Sequence, residues 1–437
     1  MSIELITVLM FGSFIVLLFS GLPLAFTLSS LGLIFTYFLW GPKALYLVTS
    51  ATSGVMSEHV YVAIPLFIFM ACVLQESGVA EDLYTAMHHW AGRLRGGLAM
   101  GTVAICTLMA AMTGIVGSAT TTMGIIALPA MLKRGYSKDI ALGCIAAGGT
   151  LGILIPPSVI TIVYAQVAEE SVGKMFMGSV LPGLLLSTLY ILYIGVRCFF
   201  QPELGPPLPQ EDRVSWRKKM ASLKGLILPT ILIIMVLGSI YTGMATPTEA
   251  AGVGAAGAIL CAIVHRRFNW QVIRSGCYTT LRLSSMIVWI TIAAKIFVYT
   301  FTAIGGVQLI KDMVIALPVD RWLVLIGIML SSVFTGMFLD EIGEILLSIP
   351  IFLPIIKSLG FNTIWFGVLY LINAQMDYIT PPFGYTLFYL KGVVPEGITM
   401  GDVYRSVIPF VLLQALGMAL CMIFPQIILW LPSIMVK

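Results

Sequence analysis

The sequence predicts an all-α polytopic membrane protein folded as an inverted repeat, with two re-entrant helical hairpins and two broken helices. Three observations carry this reading. The 437 residues are 59% hydrophobic and only 10% charged, with a mean hydropathy of +1.01, whereas a soluble domain carries roughly 25% charged residues. Two apolar segments have a length that suits neither one spanning helix nor two. A pair of adjacent prolines recurs 225 residues apart, at Pro156-Pro157 and Pro381-Pro382.

Ordinary spanning helices, each needing about 20 apolar residues, are expected at about 3–20, 22–41, 58–76, 177–200, 226–243, 247–264, 275–301 and 407–431. The first run lacks a basic leader and a small-residue cleavage site, so it reads as a retained helix. The polar stretch from Gln201 to Lys224 holds Pro202, Pro206, Pro207 and Pro209, then Arg213, Arg217, Lys218, Lys219 and Lys224. It reads as a cytoplasmic connector at 201–225, between a first repeat at 1–200 and a second at 226–437.

Basic residues collect at Arg93/Arg95, Lys133/Arg134/Lys138, the connector and Arg266/Arg267/Arg274. The positive-inside rule puts these loops in the cytoplasm and both termini outside. The net charge of +4 carries no nucleic-acid signal, because the cations sit in loops between apolar runs. Seven scattered cysteines form no C-x-x-C pair, and four histidines lie at loops or helix ends. No nucleophile–base constellation stands at membrane depth, so an enzyme is not expected.

Leu98–Leu132 is the first odd segment. As one helix its 35 residues would run roughly 50 Å, beyond the ~30 Å hydrocarbon core. Two spans would need about 40 residues plus a turn. Both flanks are basic, so a hairpin entering from the cytoplasm fits, over 98–132, with its tip at Thr113–Thr122. Trp322–Ile356 repeats the pattern over 322–356, entering from the other side, with Thr335-Gly336 and Asp340-Glu341 at its middle. Non-helical backbone at membrane depth must be buried in protein or line a cavity, which makes both tips binding candidates.

Each hairpin precedes a helix interrupted by a proline pair, over 138–170 and 363–392. Proline removes a backbone hydrogen bond and displaces its predecessor from helical geometry. Freed carbonyls there can hold a cation, and the next half-helix offers its amides to an anion. Leu128-Pro129 and Leu353-Pro354 share the 225-residue offset, so the two halves match in register. The candidate substrate-binding residues are Ser118, Thr120 and Thr121 of the first tip, Pro157 and Ser158 at the first break, and Asn373, Gln375 and Pro382 around the second. Asp340, nearest the second turn, reads as a cation-coupling residue, because a carboxylate within a membrane segment is costly unless it has a task. Glu341 and Glu344 read as hydrated by a vestibule or as part of the same site. Glu249 reads as a helix cap.

These residues resemble the large, DctM-type membrane subunit of tripartite ATP-independent periplasmic (TRAP) transporters. The similar stretches are "LPAMLKRGYSKDIALGCIAAGGTLGILIPPS", "GMATPTEAAGVG", "TGMFLDEIGEILLSIPIFLPIIKSLGFN" and "YITPPFGYTLFYLKGV". The resemblance implies an elevator-type transporter of the ion-transporter superfamily in the bacterial inner membrane. It implies sodium as the coupling ion and an organic acid substrate such as a C4-dicarboxylate, sialic acid or another sugar acid. It also implies two partners, a periplasmic substrate-binding protein and a separate small four-helix membrane subunit. Family sodium sites map onto Thr113, Gly114, Ser118, Gly149 and Pro156 in one half, and onto Thr335, Gly336, Asp340, Thr380 and Pro381 in the other. Glu341 and Glu344 depart from the family pattern, where uncharged residues are expected. The alternative reading is a stand-alone dicarboxylate or anion transporter or antiporter of the same superfamily.

Overall fold

The computed structural model describes residues 2–91, 94–114, 116–207 and 214–435. Arg93, Pro209, Arg213, Ile115 of the first tip and Lys437 lie outside the described residues. Among the described residues the structure is helical throughout, with no strand. The first half runs α1 (Ile3–Phe19), α2 (Leu24–Trp40), α3 (Tyr46–Met56), α4 (Ala63–Glu76), α5 (Val79–Ala91), α6 (Gly97–Thr113), α7 (Val116–Lys133), α8 (Lys138–Leu154), α9 (Val159–Ala168) and α10 (Val172–Phe200). After the connector come α11 (Trp216–Ser222), α12 (Lys224–Tyr241), α13 (Pro247–Val264), α14 (Trp270–Ala303) and α15 (Gly306–Ile315). The chain closes with α16 (Arg321–Gly336), α17 (Glu341–Ser358), α18 (Thr363–Asp377), α19 (Tyr385–Lys391), α20 (Met400–Ile423) and α21 (Gln426–Ile434).

Six helical stretches among the described residues are long and apolar enough to cross a bilayer, and the bent pair α8/α9 makes a seventh. Exposed apolar side chains such as Leu192, Ile234, Leu260 and Leu412 provide the lipid-facing surface that such spans require. The final span expected at 407–431 is two helices, because Phe424-Pro425 interrupts it between α20 and α21. The expected connector contains a helix of its own, α11. Short helices α3, α5 and α15, too brief or too polar to register as spans, also emerge.

Small residues let the helices approach closely, as apolar packing within lipid demands. Ala250, Gly254 and Ala258 form a buried stripe of α13 against α4, where Met70 lies beside Gly254. Gly32 of α2 abuts Ile296 of α14, and Thr36 and Thr300 share a hydroxyl hydrogen bond of 2.8 Å one turn along. Helix α8 is buried from Ile140 to Leu154. It packs against α6, α7, α10, α18 and α20, with Gly148 against Cys106 and Gly143 against Phe410.

Both 35-residue segments are helical hairpins: α6 packs on α7, and α16 on α17. The turns differ from expectation in position. In the first, Gly114 ends α6 in the left-handed conformation and α7 begins at Val116, so Ser118 and Thr120–Thr122 are helical and not part of a loop. In the second, Asp340 caps α17, which places Glu341 and Glu344 in its first turn. Both proline pairs interrupt helices where expected. Ile155–Ser158 separate α8 from α9 with a bend of 41°, and Tyr378–Gly384 separate α18 from α19. Both Pro-Pro peptide bonds are cis.

The packing between the halves is crosswise. Helix α9, after the first break, packs on α17 of the second hairpin; α19, after the second break, packs on α7 of the first. The interrupted helices α8 and α18 also touch.

Candidate functional site

A cavity of about 160 Å³ lies where these elements converge. Gly114 comes to it from the first hairpin, Val159 and Ile160 from the start of α9, and Asp340, Glu341 and Ile342 from the second hairpin. Tyr378, Tyr385 and Tyr389 come from the second break and α19; Ile68 of α4 and Leu283, Met286 and Ile287 of α14 close the remaining side. The cavity adjoins a larger cleft of about 810 Å³, with which it shares Asp340, Met286, Tyr385 and Tyr389. Leu22, Phe26, Trp289 and Phe338 are among the side chains that line the cleft.

The first proline break is held by its own cap. Ser158 Oγ donates to the Ile153 carbonyl at 2.7 Å and accepts from the Thr161 amide at 3.4 Å, so one hydroxyl ties the end of α8 to the start of α9. Gly114 stands directly against the Pro157 carbonyl, so close that a Cβ could not be accommodated there. The left-handed φ of +57° at Gly114 is a second reason for glycine. The turn of hairpin one therefore rests on Pro156-Pro157, both buried.

Of the residues predicted from sequence, Gly114 and Asp340 line the cavity. Thr113 is buried beside Gly114 and donates to the Met109 carbonyl at 2.9 Å. Ser118 faces α4 instead, donating to Gln75 Oε1 at 2.7 Å. Thr121 spends its hydroxyl on the Gly117 carbonyl at 2.6 Å. Thr120 is fully buried against Gly149, and its Oγ1 has no partner. Asn373 donates to the Met329 carbonyl at 3.1 Å and Gln375 to the Tyr190 hydroxyl at 3.3 Å, so the two amides leave α18 in different directions. Thr380 caps back to the Met376 carbonyl at 2.7 Å, Pro381 is half-buried, and the Pro382 carbonyl accepts from Tyr404 at 2.8 Å. Glu249 closes a capping box with Thr246.

Thr335 and Gly336 belong to a second polar cluster, set behind the second tip. Glu344 is 1% exposed. It accepts hydrogen bonds from Ser332, from the Tyr370 hydroxyl at 2.9 Å and from Thr335 Oγ1 at 3.4 Å. Asp377, also 1% exposed, has neither oxygen partnered. Any side chain at Gly336 would meet both carboxylates, so they converge on that glycine. Oxygen-only clusters of this kind suit hard cations.

Sequence reasoning did not single out the three tyrosines, Gln75, Ser332 or Tyr370. Tyr385 and Tyr389 are four apart on one helical face, a spacing that marks a shared surface. The other four, Tyr378, Gln75, Ser332 and Tyr370, owe their roles to contacts between separate segments.

The chain matches the family model described as "Tripartite ATP-independent periplasmic transporter, DctM component" over residues 11–427. The chain belongs to the DctM family. It is therefore a multi-pass membrane permease and not an enzyme. Among its relatives, the C4-dicarboxylate TRAP transporter large permease protein DctM of Pseudomonas aeruginosa is 33% identical over 381 residues, 86% of this chain and 87% of that one. The ectoine TRAP transporter large permease protein TeaC of Halomonas elongata is 27% identical over 97% of this chain and 98% of its own. The same fold occurs in the Alcanivorax borkumensis YdaH transporter, with a TM-score of 0.64 and 14% identity over 91% of this DctM chain and 95% of that protein. These relatives are named for chemically different solutes.

Proposed function

We propose that this DctM protein is the large subunit of a sodium-coupled uptake system that carries a small organic acid across the bacterial inner membrane. A periplasmic binding protein delivers the solute, and a separate four-helix membrane subunit completes the complex. The observation that carries the reading is the crosswise packing of the two halves around one cavity. Each hairpin is braced by the half-helix that follows the other half's proline pair. Such reciprocity supports two inverted repeats meeting at a midplane site, the arrangement of many secondary transporters. It also supports an elevator mechanism, in which both hairpins and both broken helices move as one body against a scaffold that includes α2, α4, α13 and α14. Both termini then lie in the periplasm and the connector in the cytoplasm.

Sodium is cargo in this scheme. The oxygens that could hold it are the backbone at Gly114 and Pro156, the unpaired Thr120 hydroxyl beside Gly149, and the carboxylate of Asp340 at the start of α17.

Reconstitution into proteoliposomes with the small subunit and the binding protein tests the proposal. Uptake of a candidate acid is expected only when the binding protein is present and sodium is directed inward. Equal uptake without the binding protein, or without a sodium gradient, would overturn it.

A further inference from the structure

The two walls of the 160 Å³ cavity are opposite in polarity. One wall begins α9, a ten-residue helix whose first two residues line the space. Its Ser158 cap takes the Thr161 amide, so the amides of Val159 and Ile160 have no intrahelical acceptor and sit at the positive end of the helix. The other wall carries Asp340 and Glu341 with three tyrosine rings. Glu341 Oε2 is buried and has no partner. Tyr378 and Tyr385 pack with ring centroids 5.4 Å apart at 30°, and Tyr389 lies against Gly117 of the first hairpin. Among the described residues, neither this cavity nor the adjoining cleft is lined by a lysine, arginine or histidine.

A dicarboxylate fits such a space poorly. Its second charge would face Glu341, and among the described residues no arginine lines the space to clamp it. The Glu341 carboxyl, with one oxygen free, beside aromatic rings instead describes a receptor for a cation, since ring faces attract quaternary and delocalised positive groups. A simple cation would leave the α9 end unused.

We propose that the solute is a zwitterion, a small carboxylate that also bears a quaternary ammonium or amidinium group. Its positive group sits between Glu341 and the rings of Tyr378, Tyr385 and Tyr389, and its carboxylate points to the amides that open α9. This rests on the transport reading above and narrows its substrate class.

The test is equilibrium binding of radiolabelled glycine betaine and ectoine, with succinate as competitor, to the purified complex of this chain and its small subunit in sodium buffer. At least one zwitterion is expected to bind at concentrations about tenfold or more below those at which succinate displaces it. Tyr389→Leu should weaken that binding about tenfold while Tyr389→Phe retains it, because the ring and not the hydroxyl holds the cation. Glu341→Gln should weaken it similarly; if that variant folds poorly, the Tyr389 pair, at 42% exposure for this residue, still decides. Absence of binding by both zwitterions, tighter binding of succinate, or a Tyr389→Leu variant that matches wild type would overturn the inference. Sodium-driven uptake of succinate but of neither zwitterion would sink this inference alone. Uptake indifferent to sodium for every solute would strike the transport reading itself.

Discussion

Gly114 and Pro157 meet backbone to backbone: the last residue of the first hairpin's inbound arm sits under the carbonyl of the first proline break. Gly114→Ala should therefore disable the protein. The left-handed conformation alone costs an alanine roughly 1–2 kcal/mol, and the new methyl would push the tip off the break. Gly117→Ala is the control, since its Cβ would meet only the Tyr389 ring at 3.3 Å, a side chain that can yield. The melting temperature in detergent should fall sharply for the first variant and little for the second. Equal tolerance of both would refute the contact.

Thr120 and Gly149 form a similar lock deeper in the protein. Gly149→Ala drives a methyl into the unpartnered Thr120 hydroxyl, and overpacking of this kind costs about 1–3 kcal/mol. Thr120→Ala removes the nearest atom and should recover part of the lost stability in the double variant. Recovery is incomplete because the Thr120 Cβ also lies 3.0 Å from the new methyl.

The Ser118–Gln75 bond joins the first hairpin to α4. Ser118→Ala and Gln75→Ala should each lower stability by about 0.5–1.5 kcal/mol and change the uptake rate alike. The double variant should add little to Gln75→Ala alone, which also removes the Gln75 Nε2 bond to Thr122 at 3.4 Å. A rise in the sodium concentration for half-maximal uptake in Ser118→Ala, but not in Gln75→Ala, would return Ser118 to the coupling site that its family position implies.

Glu344 and Asp377 are unequal partners. Glu344→Leu strands the hydroxyls of Ser332 and Tyr370, each at about 1–3 kcal/mol, and should lower the melting temperature markedly. Asp377→Asn removes one of two like charges that converge on Gly336 and breaks no hydrogen bond in the structure. It should leave stability unchanged or raise it. Sodium-dependent uptake of this variant then reports whether the pair takes part in coupling.

Much of the architecture was legible in the sequence because lipid enforces simple rules. Segment length and flanking charge defined both hairpins to within a residue or two, and paired prolines marked both breaks. The turns were less legible. Gly114 and Gly117 both invite one, and Gly114 was selected by its distant contact with Pro157. The hydroxyls of Ser118, Thr120 and Thr121 looked equivalent in sequence, yet one meets α4, one lies unpaired against α8, and one donates back to a carbonyl of its own helix. Such differences depend on which neighbour each helical face meets, and those neighbours come from far along the chain. From sequence Glu344 reads either as a hydrated vestibule residue or as part of the tip's site; the structure makes it the acceptor at the centre of a buried network, of which Ser332 and Tyr370 give no local signal.

The exchange of braces, α9 against α17 and α19 against α7, has a consequence for biogenesis. When synthesis has reached Phe200, α7 and α9 exist but the helices that cover them do not. The early half must wait in the bilayer with raw flanks until the late half arrives, so neither is an autonomous folding unit. Severed in the connector and co-expressed, the two fragments should need each other to survive proteolysis.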